Sequence, residues 1–118
     1  MLKYLFLSAG LIVINILSIG DLNGRWQGKV KISDGSEIDI TYNFKTEGDK
    51  LTGTVVTQWG ESPIINGKNT GDDYTFTQTF NEMVISHSGK VSGDSLFVKI
   101  ERPEHPVMES IFRRSTAN

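Results

Sequence analysis

GRWQGKVKISDGSEIDITYNFK, residues 24–45, alternates apolar and polar side chains through two runs separated by a glycine-containing break. In the first run Trp26, Gly28, Val30 and Ile32 share one side, while Arg25, Gln27, Lys29 and Lys31 share the other. Asp34-Gly35 then supplies the backbone freedom of a tight hairpin. In the second run Ile38, Ile40, Tyr42 and Phe44 face in, against Glu37, Asp39, Thr41, Asn43 and Lys45 facing out. A side-chain period of two with one dry face belongs to an antiparallel sheet lying over a core.

The same period continues to the end of the chain, and no stretch past residue 20 carries a helical period. Gly-Asp recurs at Gly48-Asp49, Gly71-Asp72 and Gly93-Asp94, each followed two residues after the Asp by Leu51, Tyr74 or Leu96. Two strands fit in each interval, which is the spacing of an up-and-down meander and too short for a crossover helix. After the two strands of residues 24–45, further strands are expected at about 50–59, 62–70, 73–81, 83–92, 95–102 and 106–115. That makes an all-β, eight-stranded antiparallel meander. An open sheet of this size exposes two edges, so closure into a barrel is expected. The inward set continues with Leu51, Gly53, Val55, Thr57 and Trp59, then Ile64, then Tyr74, Phe76, Gln78 and Phe80. Ile85, His87, Gly89 and Val91 follow, then Leu96, Val98 and Ile100, then Met108, Ser110 and Phe112. Pro63 and the Asn66-Gly67 pair mark the fourth strand for an edge-like start and a bulge.

Ahead of this domain, MLKYLFLSAGLIVINILSIG has one cation, Lys3, and an uncharged apolar run, which is how an export signal reads. Residues 1–20 are therefore expected to be a signal peptide cut ahead of Asp21, with an uncleaved anchor as the rival, and residues 21–118 one domain. The expected location is periplasmic or extracellular. The sequence contains no cysteine, so neither a lipid-modified cysteine nor a disulfide is available, and the exported domain must be held by its core. Without Lys3, eleven cations stand against fourteen acids, with both signs interspersed. Such a surface gives no electrostatic reason to bind nucleic acid.

Gly24-Arg25-Trp26 at the start and Arg113-Arg114 at the end resemble the G-x-W and C-terminal arginine of the lipocalin and calycin barrels. The resemblance implies that an arginine packs across the tryptophan ring and closes one end of the barrel, a cation–π contact. Alternation puts Arg114, with Ser110 and Phe112, on the inner face, so Arg114 is expected over Trp26. The fuller pattern resembles a group of small secreted bacterial lipocalin-like proteins: G-x-W-x-G, G-D-K-L-T-G-T-V, P-I-x-N-G-K, G-D-x-x-F and G-K-V-x-G-D-x-L. That group is mostly without an assigned activity, and some of its members stand beside carbohydrate-active domains. The chain is shorter than the lipocalins proper and has no recognisable C-terminal helix.

No catalytic or metal constellation is present. Ser86-His87-Ser88 lies on one strand, whose neighbours point to opposite faces and form no direct nucleophile–base pair. His87 and His105 are isolated and share no ligand spacing. The acids fall outside, in turns or at rims, where the Asp side chains of the Gly-Asp turns bond nearby amides. No cofactor and no enzyme activity is expected. What is left is a set of inward polar or amphipathic residues, with Tyr42, Trp59, Gln78, His87 and Met108 as the candidate ligand-binding group. An eight-stranded barrel has room either for its own side chains or for one small ligand. The first expectation is a binding barrel for a small apolar or amphipathic molecule held at one mouth, with the inward Gly28, Gly53 and Gly89 leaving space. The second is a filled barrel, its room taken by Phe44, Phe76, Phe80 and Phe112. It would act through its hairpin loops as a protein- or carbohydrate-interaction module, or as a hydrolase inhibitor. Whether Trp59 faces solvent at a rim separates the two.

Overall fold

The structure is a computed structural model that describes residues 21–115; the expected signal peptide lies outside the described residues. Nine strands follow in chain order: β1 (Gly24–Lys31), β2 (Glu37–Glu47), β3 (Lys50–Thr57), β4 (Gly60–Pro63), β5 (Ile65–Thr70), β6 (Asp73–Phe80), β7 (Met83–Ser92), β8 (Ser95–Glu101) and β9 (Met108–Arg114). They form one antiparallel sheet in the order β2-β1-β9-β8-β7-β6-β5-β3-β4, and β3 also pairs with β2, which closes the ring. Because β4 and β5 both lie against β3, they are two halves of one stave. The barrel therefore has the eight staves read from the sequence.

The break in that stave has a local cause. Pro63 has no backbone N–H to give to the ladder, and at Asn66 the backbone turns left-handed, with φ of 53°. The register against β6 slips between Ile65 and Lys68. Between the two halves, the Ile64 amide donates to the Gly53 carbonyl at 2.9 Å and holds the broken stave on β3. Ile64 packs on the core, whereas Ile65 is turned out.

Period-two burial runs through the staves. Along β2, Ile38, Ile40, Tyr42 and Phe44 are buried, and along β8, Leu96, Val98 and Ile100. Each such side chain contributes roughly 1.5–3 kcal/mol of burial free energy. Two of the expected inward residues leave the core because their strands end first. Trp59 lies in the β3–β4 turn and is 54% exposed, and Phe80, the last residue of β6, is 36% exposed.

The two ends of the barrel differ. At one end the three Gly-Asp turns gather, with φ of 64°, 59° and 60° at Gly48, Gly71 and Gly93, a backbone region that glycine enters without a Cβ clash. Arg114 closes this end, its guanidinium carbon 4.3 Å from the centre of the Trp26 ring. Its Nη1 donates to the Asn23 carbonyl, Nη2 to the Asp21 and Gly93 carbonyls, and Nε to Asp94 Oδ1 at 3.0 Å. Trp26 Nε1 donates to the Leu22 carbonyl, so the chain entering the barrel is tied down at the same end. Above this plug, Tyr42, Phe44, Tyr74, Phe76 and Phe112 stack and tilt against one another, with centroids 4.9 to 6.5 Å apart.

The inward glycines serve this packing and do not leave ligand space. A Cβ on Gly28 would come within 2.1 Å of Phe112 Cδ1, so the absent side chain is where the ring lies. At Gly53, φ is 139° and a Cβ would meet the Asn43 carbonyl oxygen at 1.7 Å. Gly89 likewise admits the Phe97 backbone and the Tyr74 ring.

Candidate functional site

The aromatic plug fills the arginine end of the barrel. Above it the staves carry smaller aliphatic side chains, and a cavity of about 490 Å³ opens to the other end. Its walls are Val30 from β1, Ile38 and Ile40 from β2, Val55 and Thr57 from β3, Ile85 from β7, Ile100 from β8 and Met108 from β9. Branched aliphatics take less of the interior than rings, which is why space persists here. The volume lies within the range of small-molecule sites, which are mostly apolar with a few placed polar groups.

Those polar groups sit between plug and cavity. His87, on β7, is 2% exposed and lies flat against Phe76, with centroids 4.4 Å apart and planes 13° apart. Its Nδ1 is 2.7 Å from the Tyr42 hydroxyl, and its Nε2 is 2.7 Å from Gln78 Oε1. Burial lowers the imidazole pKa from 6.5 to about 3, so the ring is neutral at ordinary pH. One tautomer satisfies both contacts: Nε2–H donates to the Gln78 oxygen, and Nδ1 accepts the Tyr42 proton. Burial also pushes the Tyr42 hydroxyl up from 10.0, which keeps that donor protonated. His87 and Gln78 line the cavity; Tyr42 holds His87 from below.

The mouth is built from turns. Ser33 and Asp34 come from the β1–β2 turn, Trp59 from β3–β4, Asn81 from β6–β7 and Arg102 from β8–β9. Asp34 Oδ1 accepts the Ser36 amide at 2.8 Å and the Ser36 hydroxyl at 2.5 Å, and these bonds hold its carboxyl below its ordinary pKa of 3.8. Trp59 and Phe80 lie together on the rim, with ring centroids 6.3 Å apart.

Of the five ligand-binding candidates, Gln78 and His87 stand at the floor, Met108 in the wall and Trp59 on the rim. Tyr42 does not reach the cavity, because its ring is enclosed by Phe44, Phe76 and Phe112. Sequence reasoning reached Arg102 only as part of the exposed Arg102–Pro106 connection, a candidate for contacting a protein partner, and not as a cavity residue: it stands in an irregular connection, where alternation assigns no face. The only sequence signal was its place at the open end, opposite the Gly-Asp turns. Among the described residues no group of three His, Cys, Asp or Glu side chains is arranged to hold a metal ion. Outward neighbours Ser86 and Ser88 flank His87 on its own strand and point away from its ring.

Comparison with known proteins gives the fold by shape alone. No family model matches the sequence, and no curated protein matches it. Among solved structures, a point mutant of the fluorescent protein UnaG superposes with a TM-score of 0.53 at 13% identity, covering 81% of this chain and 97% of that one. A Schistosoma mansoni fatty acid binding protein, solved in complex with arachidonic acid, superposes with a TM-score of 0.53 at 16% identity, covering 84% of this chain and 99% of that one. The likeness is one of fold: a closed antiparallel β-barrel that superposes over most of both chains.

Proposed function

We propose that this chain is an exported binding barrel that takes one small apolar or amphipathic molecule through its open end. The observation that carries the reading is the apolar cavity of about 490 Å³ above the aromatic plug, with a polar floor at His87 and Gln78, which are bonded to each other. The barrels it resembles in shape support a small-ligand role, one of them having been solved with arachidonic acid. Export rests on the apolar, uncharged run before Asp21. The Asp21 carbonyl bonds Arg114, so the described domain begins at the closed end, opposite the mouth.

The test is thermal unfolding of the protein against fatty acids, fatty alcohols, small aromatics and oligosaccharides, together with displacement of anilinonaphthalene sulfonate. A ligand at about 100 times its dissociation constant adds roughly 2.7 kcal/mol, a rise of several degrees in the midpoint. No shift and no probe binding would end the reading. Export is tested separately by mass spectrometry of the secreted chain, for which a new N-terminus at Asp21 is expected.

A second reading has one observation behind it. Trp59 is solvent-facing beside Phe80, and an exposed aromatic pair on a rim suits a protein or sugar partner. A Trp59→Ala variant that keeps apolar ligands but loses oligosaccharide binding would favour it.

A further inference from the structure

We propose that the cavity holds its ligand head-out, with a singly charged acidic head group on the Arg102 guanidinium at the mouth and an uncharged body reaching Gln78 at the floor. This deepens the binding-barrel reading and rests on it. Three observations lead there.

The first is the distribution of charge. Of the residues lining the cavity, only Asp34 and Arg102 are charged, and both belong to turns at the mouth. The floor groups His87 and Gln78 are neutral, so an acid driven to the floor would lose its water and meet no cation.

Arg102 gives the second. Its Nε is shut away from water, yet it has no hydrogen-bond partner among the described residues, and the guanidinium enters no ion pair there. A guanidinium offers several N–H donors in a planar fork that fits the paired oxygens of a carboxylate, sulfate or phosphate ester. Asp34 on the same rim, its carboxylate bonded by Ser36, disfavours a second negative charge there, so a singly charged head group suits the mouth best.

Third, the orientation of the floor is fixed. Gln78 gives its Oε1 to His87 and its amide nitrogen has no partner among the described residues, so that N–H₂ is the donor available to the inner end of a ligand. It suits a ketone, ester or hydroxyl oxygen.

Matched probes of one chain length test this: decanoate, decyl sulfate, decanol and decyltrimethylammonium, read by calorimetry and by Trp59 fluorescence. Both anions should bind at least tenfold more tightly than decanol, and the cation more weakly still. Arg102→Gln should erase the anion advantage while leaving decanol affinity within twofold, and Arg102→Lys should keep part of it. Adding a ketone to the far end of the acid should strengthen binding, and Gln78→Leu should remove that gain without touching the anion preference. Equal binding of anions and alcohol, or an equal loss of both in Arg102→Gln with an unchanged melting midpoint, would overturn the head-out assignment and leave the pocket standing. Failure of every probe, anilinonaphthalene sulfonate included, would overturn the pocket and this inference with it.

Discussion

His87 has to stay neutral to be buried, and that ties folding to pH. The folded chain refuses a proton until about pH 3, whereas the unfolded chain takes one up near 6.5. Between those values the unfolded state binds more protons, so stability is complete above about pH 6.5. It falls by up to ~1.4 kcal/mol per pH unit as the medium acidifies toward 3. Urea melts at about pH 7 and about pH 5 should show the drop, and a His87→Phe variant should show a flatter dependence over that window. Gly28 makes the complementary steric case. Gly28→Ala drives a methyl into the Phe112 ring and should cost ~1–3 kcal/mol of stability, read from the denaturant midpoint. Adding Phe112→Leu should return part of that loss, which identifies the ring as the obstacle.

Between whole staves, with β4 and β5 counted as one, the β1–β9 seam is the thinnest joint of the barrel. Only Arg113↔Gln27 and Arg114↔Trp26 pair directly, extended by the Ser115 amide on the Arg25 carbonyl and the Ser110 hydroxyl on the Lys29 carbonyl. Arg114 fastens that seam by bonding Asp21, Asn23 and the β7–β8 turn at once. Arg114→Met should cost about 2–3 kcal/mol, the loss of one cation–π contact and several charged hydrogen bonds in a partly exposed setting. Amide hydrogen exchange should speed up first in β1 and β9. The broken fourth stave was visible in Pro63 and Asn66-Gly67, since one residue lacks an N–H and the others tolerate a left-handed backbone. That the break falls at Ile64, held by the Gly53 carbonyl, depends on a partner strand that local pattern does not specify.

For the molecule as a whole, the barrel is half core and half container, plugged by rings at the arginine end and lined by aliphatics at the other. The two halves should separate under mutation. Met108→Trp places a bulky ring in the cavity wall, and it should abolish the ligand-induced rise in melting midpoint while the free protein melts within a few degrees of the parent. In the plug, Phe76→Ala should unfold the protein far more readily, at a cost of ~3–5 kcal/mol. If both variants lost stability alike, the open half would be core as well.

Outside the broken fourth stave, alternation settled from sequence alone which face of each strand is dry, because a one-residue slip would turn every apolar side chain outward. It placed His87 and Gln78 inside, and the Gly-Asp spacing gave the meander and gathered three turns at one end. Depth along the barrel axis was a different matter. Period two says that Trp59 and Phe80 share the face of Val55 and Phe76, but not that their strands stop beneath them and leave the rings on the rim. Nor does it say that Gly28, Gly53 and Gly89 are filled by neighbours from other strands, or that Arg102 leans over the mouth. Inward or outward is a property of a residue and its next neighbours, and a linear pattern records it. Floor, wall and rim are set by the stagger of eight strands around a ring, and that came only with closure.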